Sequence, residues 1–166
     1  MADVQERIAV VARLRPAASC ALVRHTSTEV VVQVPRGSDT VNNQVEEYSF
    51  SFAKVFGTEA TQREVFDFVA KDLVRGALDG INCSIFAYGQ TGSGKTHTIC
   101  GDHQARGIIP RALNCLFNAI EGRHDGVDYS VSLSFIEVYK EVGYDLLSKD
   151  PSPGGLAHGE RLFAEW

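Results

Sequence analysis

The sequence predicts an α/β fold, a central β-sheet with flanking helices, and three observations predict it. Ile8-Ala9-Val10-Val11-Ala12 is a short unbroken apolar run, the pattern of a strand covered on both faces. Thr61-Gln62-Arg63-Glu64 has the form of a capping box at the head of an amphipathic helix. Ser84-Ile85-Phe86-Ala87-Tyr88 is a second compact apolar run, and it leads through a glycine-rich loop into another helical pattern. Strands alternating with helices in this order make an α/β sheet rather than a bundle or a sandwich.

Each element has a local reason. The first strand should end at Arg13-Leu14-Arg15-Pro16, because Pro cannot donate to a ladder and restrains its predecessor. Glu29-Val30-Val31-Val32-Gln33-Val34 reads as a strand, and Pro35-Arg36-Gly37-Ser38-Asp39 is turn chemistry. Tyr48, Phe50 and Phe52 alternate with Ser49 and Ser51, as in a strand with one buried face. Behind Thr61, the residues Phe66, Val69, Leu73 and Ala77 recur at helical spacing, and Gly80 suits the helix end. A further helix should start at Lys95, be interrupted by Gly101 through Gly107, and resume at Pro110 with Leu113, Leu116, Phe117 and Ile120 as its apolar face. Val131, Leu133 and Phe135 alternate with serines as a strand that continues through Ile136-Glu137-Val138-Tyr139. From Lys149 the chain turns linker-like, with Asp150-Pro151-Ser152-Pro153-Gly154-Gly155.

Composition narrows the class without naming a function. The chain has 166 residues, 44% hydrophobic and 22% charged, with a formal charge of −5, ordinary values for a folded domain. Residues 1–100 carry 10 basic and 11 acidic side chains, and residues 101–166 carry 6 and 10. Neither part is a basic arm, so no nucleic acid is expected as a partner. No apolar run approaches the roughly 18 residues of a membrane span, so no membrane is expected either. Cys20, Cys83, Cys100 and Cys115 contain no C-x-x-C pair and read as reduced structural thiols, Cys83 and Cys115 within apolar stretches.

The chemistry lies in the glycine-rich loop. Gly89-Gln90-Thr91-Gly92-Ser93-Gly94-Lys95-Thr96 matches G-x-x-x-x-G-K-[ST] at every fixed position, between an expected strand and an expected helix. The glycines let successive amides turn inward on a polyphosphate, and the helix start adds its free N–H groups. Lys95 would reach the β- and γ-phosphates and the Thr96 hydroxyl would hold Mg²⁺. A P-loop NTPase also needs a carboxylate near the metal; Glu137 is a candidate, but the serine alternation before it argues for a structural role.

The longer run Phe86-Ala87-Tyr88 through Lys95-Thr96-His97-Thr98 resembles the P-loop of kinesin motor domains. Arg13-Leu14-Arg15-Pro16 resembles their R-x-R-P nucleotide-base motif, and Arg106-Gly107-Ile108-Ile109-Pro110-Arg111 resembles the restart of the P-loop helix. Ser134-Phe135-Ile136-Glu137-Val138-Tyr139 and Asp145-Leu146-Leu147 resemble the next strand and its turn, so the match is collinear from Ile8 to Leu147. Val41-Asn42-Asn43-Gln44 and Gly143-Tyr144-Asp145-Leu146-Leu147 lean toward the ninth kinesin subfamily, associated with cilia and flagella.

The resemblance implies a kinesin-like P-loop NTPase fold that binds ATP and Mg²⁺. Arg13 and Pro16 would pack by the adenine, with His97 on its other side, Arg15 in a structural ion pair, and Thr96 on the metal. The family's usual Tyr-Asn-Gly ahead of the P-loop strand is here Ile81-Asn82-Cys83, which loses an aromatic ring. The family's two switch motifs, N-x-x-S-S-R-S-H and D-x-x-G-S-E, do not occur in these residues. The expectation is therefore a truncated domain: residues 1–149 as the N-terminal half of a motor domain, and 150–166 as an irregular tail, a candidate non-native continuation. The parent motor would hydrolyse ATP and move on microtubules in the cytoplasm, whereas these residues alone would not turn ATP over. The alternative is a non-motor nucleotide-binding or interaction module made as a short product.

Overall fold

The structure is a computed structural model that describes residues 8–16, 22–34 and 46–148. The turn expected at 35–39, the segment 41–44, Cys20 and the tail from 149 lie outside the described residues. The chain divides into two compact units, residues 1–119 and 120–166. The elements of the first are β1 (Val11–Arg13), β2 (Leu22–His25), β3 (Glu29–Val34), β4 (Glu46–Ser51), β5 (Lys54–Phe56), α1 (Gln62–Val69), α2 (Lys71–Leu78), α3 (Lys95–Ile99) and α4 (Ile108–Glu121), which ends just past the boundary. The second contains the strands β6 (Ile136–Tyr139) and β7 (Val142–Asp145).

The described strands form three ladders, β1-β5, β2-β3-β4 and β6-β7. β1 pairs in parallel with β5, and the ladder is extended by Leu14 N–H donating to Phe56 O at 2.9 Å and Ala53 N–H to Val10 O at 2.8 Å. The Ile8–Ala12 expectation is shifted toward Arg13 and half satisfied. Ile8 is 92% exposed and Val10 is also exposed, because an apolar run is buried only where a second element lies against it. β3 is the middle of its antiparallel ladder, and Val30 and Val31 are buried. The alternation of β4 is present, but Tyr48 and Phe50 are exposed rather than buried, since no described layer covers that face.

The core lies where β5 meets the helices. Phe56, Val65, Phe66, Ala70 and Ile108 are buried together, with Val11, Ile85, Ile99, Ala112 and Cys115 packed against them. α1 opens as the sequence requires: the Glu64 N–H donates to Thr61 Oγ1 at 3.2 Å and the Thr61 N–H donates to Glu64 Oε2 at 2.7 Å. One helix was expected here, and the chain instead breaks at the fully buried Ala70 (φ −120°, ψ −30°). The break rotates the faces, so Leu73 and Ala77 point to solvent while Val74 and Leu78 are half-buried. The end is a Schellman motif: Gly80 takes φ 87°, its N–H donates to Ala77 O, and the Ile81 N–H donates to Gly76 O.

Ser84–Tyr88 carries no ladder among the described residues, and Phe86 is 89% exposed. A strand needs a neighbour for its N–H and C=O groups, and its apolar composition does not supply one. α4 begins at Ile108, before the expected Pro110, which still lies in the first turn where its missing N–H is harmless. Ile108 is its one buried residue; Ala112 and Cys115 pack against the core, half-buried as Leu113, Leu116, Phe117 and Ile120 also are. Cys83 is exposed rather than core, with its thiol against Leu73 O at 3.2 Å.

In the second unit β6 pairs antiparallel with β7 after a two-residue turn, and of the serine-alternating residues before it only Phe135 joins in, its carbonyl accepting from Leu146 N–H at 2.8 Å. Lys140 and Glu141 both take positive φ there (50° and 65°), as a tight hairpin demands. Among the described residues no helix is long and apolar enough to cross a membrane.

Candidate functional site

The site is built on the turn that leaves the 84–88 segment and enters α3. Gly89, Gly92 and Gly94 take φ of 155°, 78° and 103°, and Gly94 is the residue that caps α3. At Gly89 a Cβ would stand 2.5 Å from Ser93 Oγ, so a side chain there would push the Ser93 hydroxyl aside. The Ser93 N–H donates to Gln90 O at 3.2 Å and closes the turn. α3 has only five residues, so its dipole is small beside the full charges of Lys95 and Arg15 at the loop.

Lys95 folds back on the loop, its Nζ donating to Gly89 O and Gln90 O at 2.8 Å each. The ammonium is thus held at the mouth of the turn by carbonyls it can exchange for phosphate oxygens. Thr96 and His97 are exposed on α3 beside it, and Gln90, Thr91 and Gly92 are exposed on the loop. Arg15 donates to Gly92 O, so its partner is a carbonyl of the loop rather than the carboxylate expected of an ion pair. The Lys95 ammonium, the exposed Thr96 hydroxyl and the glycine-rich turn that precedes them are a donor set whose chemistry fits a polyphosphate, and a hydroxyl oxygen is a hard ligand that fits Mg²⁺. Glu137 is exposed in the second unit, on β6.

Two of the three residues implied for the base side, Arg13 and His97, are brought together by a side chain outside the motifs, Gln62. Gln62, the first residue of α1, is 5% exposed. Arg13 Nη1 donates to Gln62 Oε1 at 2.8 Å and to Thr98 Oγ1 at 2.9 Å, and Arg13 Nη2 donates to Ala60 O at 3.3 Å. Burial pushes the Arg13 guanidinium below its usual pKa, but a guanidinium stays charged. Gln62 Nε2 donates to His97 O at 2.5 Å and to Ala105 O at 3.2 Å, and lies 3.5 Å from the His97 ring. Pro16 is exposed beyond the end of β1. The loop after α3 is closed on itself: the Gly107 N–H donates to Cys100 O at 3.0 Å, and Asp102 Oδ1 accepts from the Gln104 and Ala105 N–H groups at 2.8 and 2.7 Å. Those amides, Ala105 first and then Gln104, hold the Asp102 carboxyl below the usual range. Gln62 left one trace in the sequence, a polar residue directly behind the cap, a position where polar side chains are common.

An α/β chain with this glycine loop set ahead of a helix belongs to the class of P-loop domains. The sequence profile described as "Kinesin motor domain" matches residues 13–161. "Kinesin-like protein KIF27" of Rattus norvegicus is 40% identical over 158 residues, covering 92% of this chain and 11% of that protein. "Protein claret segregational" of Drosophila melanogaster is 38% identical over 154 residues, covering 89% and 22%. Among solved structures, "Structure of a fast kinesin: Implications for ATPase mechanism and interactions with microtubules" superimposes with a TM-score of 0.71 at 32% identity, over 85% of this chain and 41% of that one. The chain belongs to the kinesin motor domain family. It spans 11% to 22% of the length of these two curated relatives. Their names do not single out the ninth subfamily or a ciliary location.

Proposed function

We propose that the chain binds ATP with Mg²⁺ as part of a kinesin-like microtubule motor, residues 1–149 being the N-terminal half of the motor domain and 150–166 a separate tail. The observation that carries the reading is the Gly89–Thr96 turn, with Lys95 held at its mouth by two carbonyls. Loop amides and Lys95 receive the phosphates, Thr96 holds the metal, and Arg13, Pro16 and His97 flank the base. Bound Mg²⁺ would neutralise charge on the phosphates. The kinesin name of the family and of the 40%-identical relative supports cytoskeletal association, with microtubules as the partner of the whole protein.

These residues contain neither switch motif. They therefore carry nucleotide binding without a γ-phosphate sensor or a group to position water, and turnover is expected to be absent from this chain alone. Calorimetry with MgATP should show saturable binding that Lys95→Ala weakens on the order of 10- to 100-fold. Phosphate release should stay at background with or without microtubules. Binding indifferent to Lys95→Ala would sink the nucleotide reading, and microtubule-stimulated release that depends on Lys95 would overturn the absence of turnover.

A further inference from the structure

We propose that Gln62 is the positioning residue for the base side of the nucleotide site, holding Arg13, the His97 backbone and the Ala105 turn in one fixed relation, so that recognition of the base depends on it while polyphosphate binding does not. The inference rests on the reading in which Arg13 and His97 flank the base.

Gln62 is a buried amide, and a buried amide is costly unless its hydrogen bonds are made. Here they are. Its oxygen accepts from the Arg13 guanidinium, and its nitrogen donates to the carbonyls of His97 and Ala105. Chemistry fixes which way the amide points, because a guanidinium can only donate and a carbonyl can only accept. Turned over, all three bonds would be lost together. An apolar residue of the same volume would fill the space equally well, so packing alone does not require glutamine.

What the side chain joins is more informative than its burial. Arg13 ends β1, His97 sits on α3, and Ala105 belongs to the loop between α3 and α4. These pieces are 49, 35 and 43 residues from Gln62. The phosphate loop has its own fastenings, Lys95 on the carbonyls of Gly89 and Gln90 and the Ser93 N–H on Gln90 O. Gln62 takes no part in them. Gln62 and the phosphate-loop fastenings are thus different sets of bonds, and the two halves meet where Arg15 donates to Gly92 O.

The separation can be measured in the full chain by comparing MgATP with magnesium tripolyphosphate, which keeps the phosphates and lacks the nucleoside. Gln62→Leu removes the donor and the acceptor at similar volume. Gln62→Glu keeps an acceptor for Arg13 and replaces the donor to His97 and Ala105 by a carboxylate oxygen facing their carbonyls. Gln62→Leu is expected to weaken MgATP about tenfold and to leave tripolyphosphate within about twofold; Gln62→Glu should recover part of the loss. Thermal unfolding is followed for both, and if the leucine variant does not fold, the MgATP-to-tripolyphosphate ratio of the glutamate variant decides. Equal losses for both ligands would make Gln62 a general scaffold residue and overturn the proposal, as would no loss in either. Wild-type protein that binds tripolyphosphate as tightly as MgATP has no base side to position, which also overturns it. Wild-type protein that binds neither removes the nucleotide reading itself, and this inference with it.

Discussion

Two apolar stretches of the first unit meet opposite fates. Val65, Phe66 and Ala70 are buried against Phe56 and Ile108, whereas Phe86 and Tyr88, twenty residues further on, stand in solvent with no ladder formed. Composition does not separate them; both segments carry aromatic and aliphatic side chains. The difference is the partner. α1 finds β5 and α4 within the described residues, and Ile85 is the one large side chain of the 84–88 segment packed against the same core. Burial belongs to a pair of elements, and a sequence pattern states only one member of the pair.

The contrast predicts unequal responses to the same substitution. Phe66→Ala should cost about 3–5 kcal/mol in urea unfolding, since it empties a site lined by Phe56, Val65 and Ile108. Phe86→Ala should change stability by no more than about 0.5 kcal/mol. Comparable losses at the two positions would break the comparison, because they would show Phe86 packed in solution. A smaller effect sharpens the buried side: Thr61→Ala removes the cap of α1 and should cost about 1 kcal/mol, read as a lower urea midpoint at unchanged slope.

The smallest effect concerns acid. The Glu64 carboxyl lies below the usual glutamate pKa because it accepts from the Thr61 N–H and then the Thr61 hydroxyl. A folded-state value depressed in this way contributes stability above the unfolded pKa, and that contribution is lost as pH falls through the folded one. The urea midpoint should therefore decline below about pH 4.3, and Glu64→Gln should flatten part of that decline. Identical acid profiles for wild type and variant would remove Glu64 as a contributor.

What was legible in the sequence was mostly local. The capping box at Thr61, the left-handed Gly80 and the glycine loop each depend on a few consecutive residues, and each stands where the pattern put it. Non-local features were not legible. Nothing in Lys71–Leu78 announces that the chain breaks at the fully buried Ala70, and the break turns Leu73 outward. On α4 the contacts to the core cluster come from Ile108, Ala112 and Cys115, which the expected apolar face does not include. The loop half of the candidate site was visible as a motif. The fastening of Arg13 and His97 to Gln62 was not, since bonds across 35 to 49 residues leave no spacing to read.

The closed neck between α3 and α4 governs how this chain can change over generations. Gly107 and Gly101 leave no room for a methyl group: a Cβ on Gly107 would stand 2.6 Å from Ile99 O, and one on Gly101 would collide with Ala105 O. The exposed tip at His103 and Gln104 has no such restriction, and doubling a loop's length costs only about 0.6 kcal/mol of closure entropy. Length variation should therefore accumulate at the tip while the neck admits almost none. The neck works as an expansion joint, letting a lineage lengthen or shorten the excursion without disturbing the register of the two helices on either side.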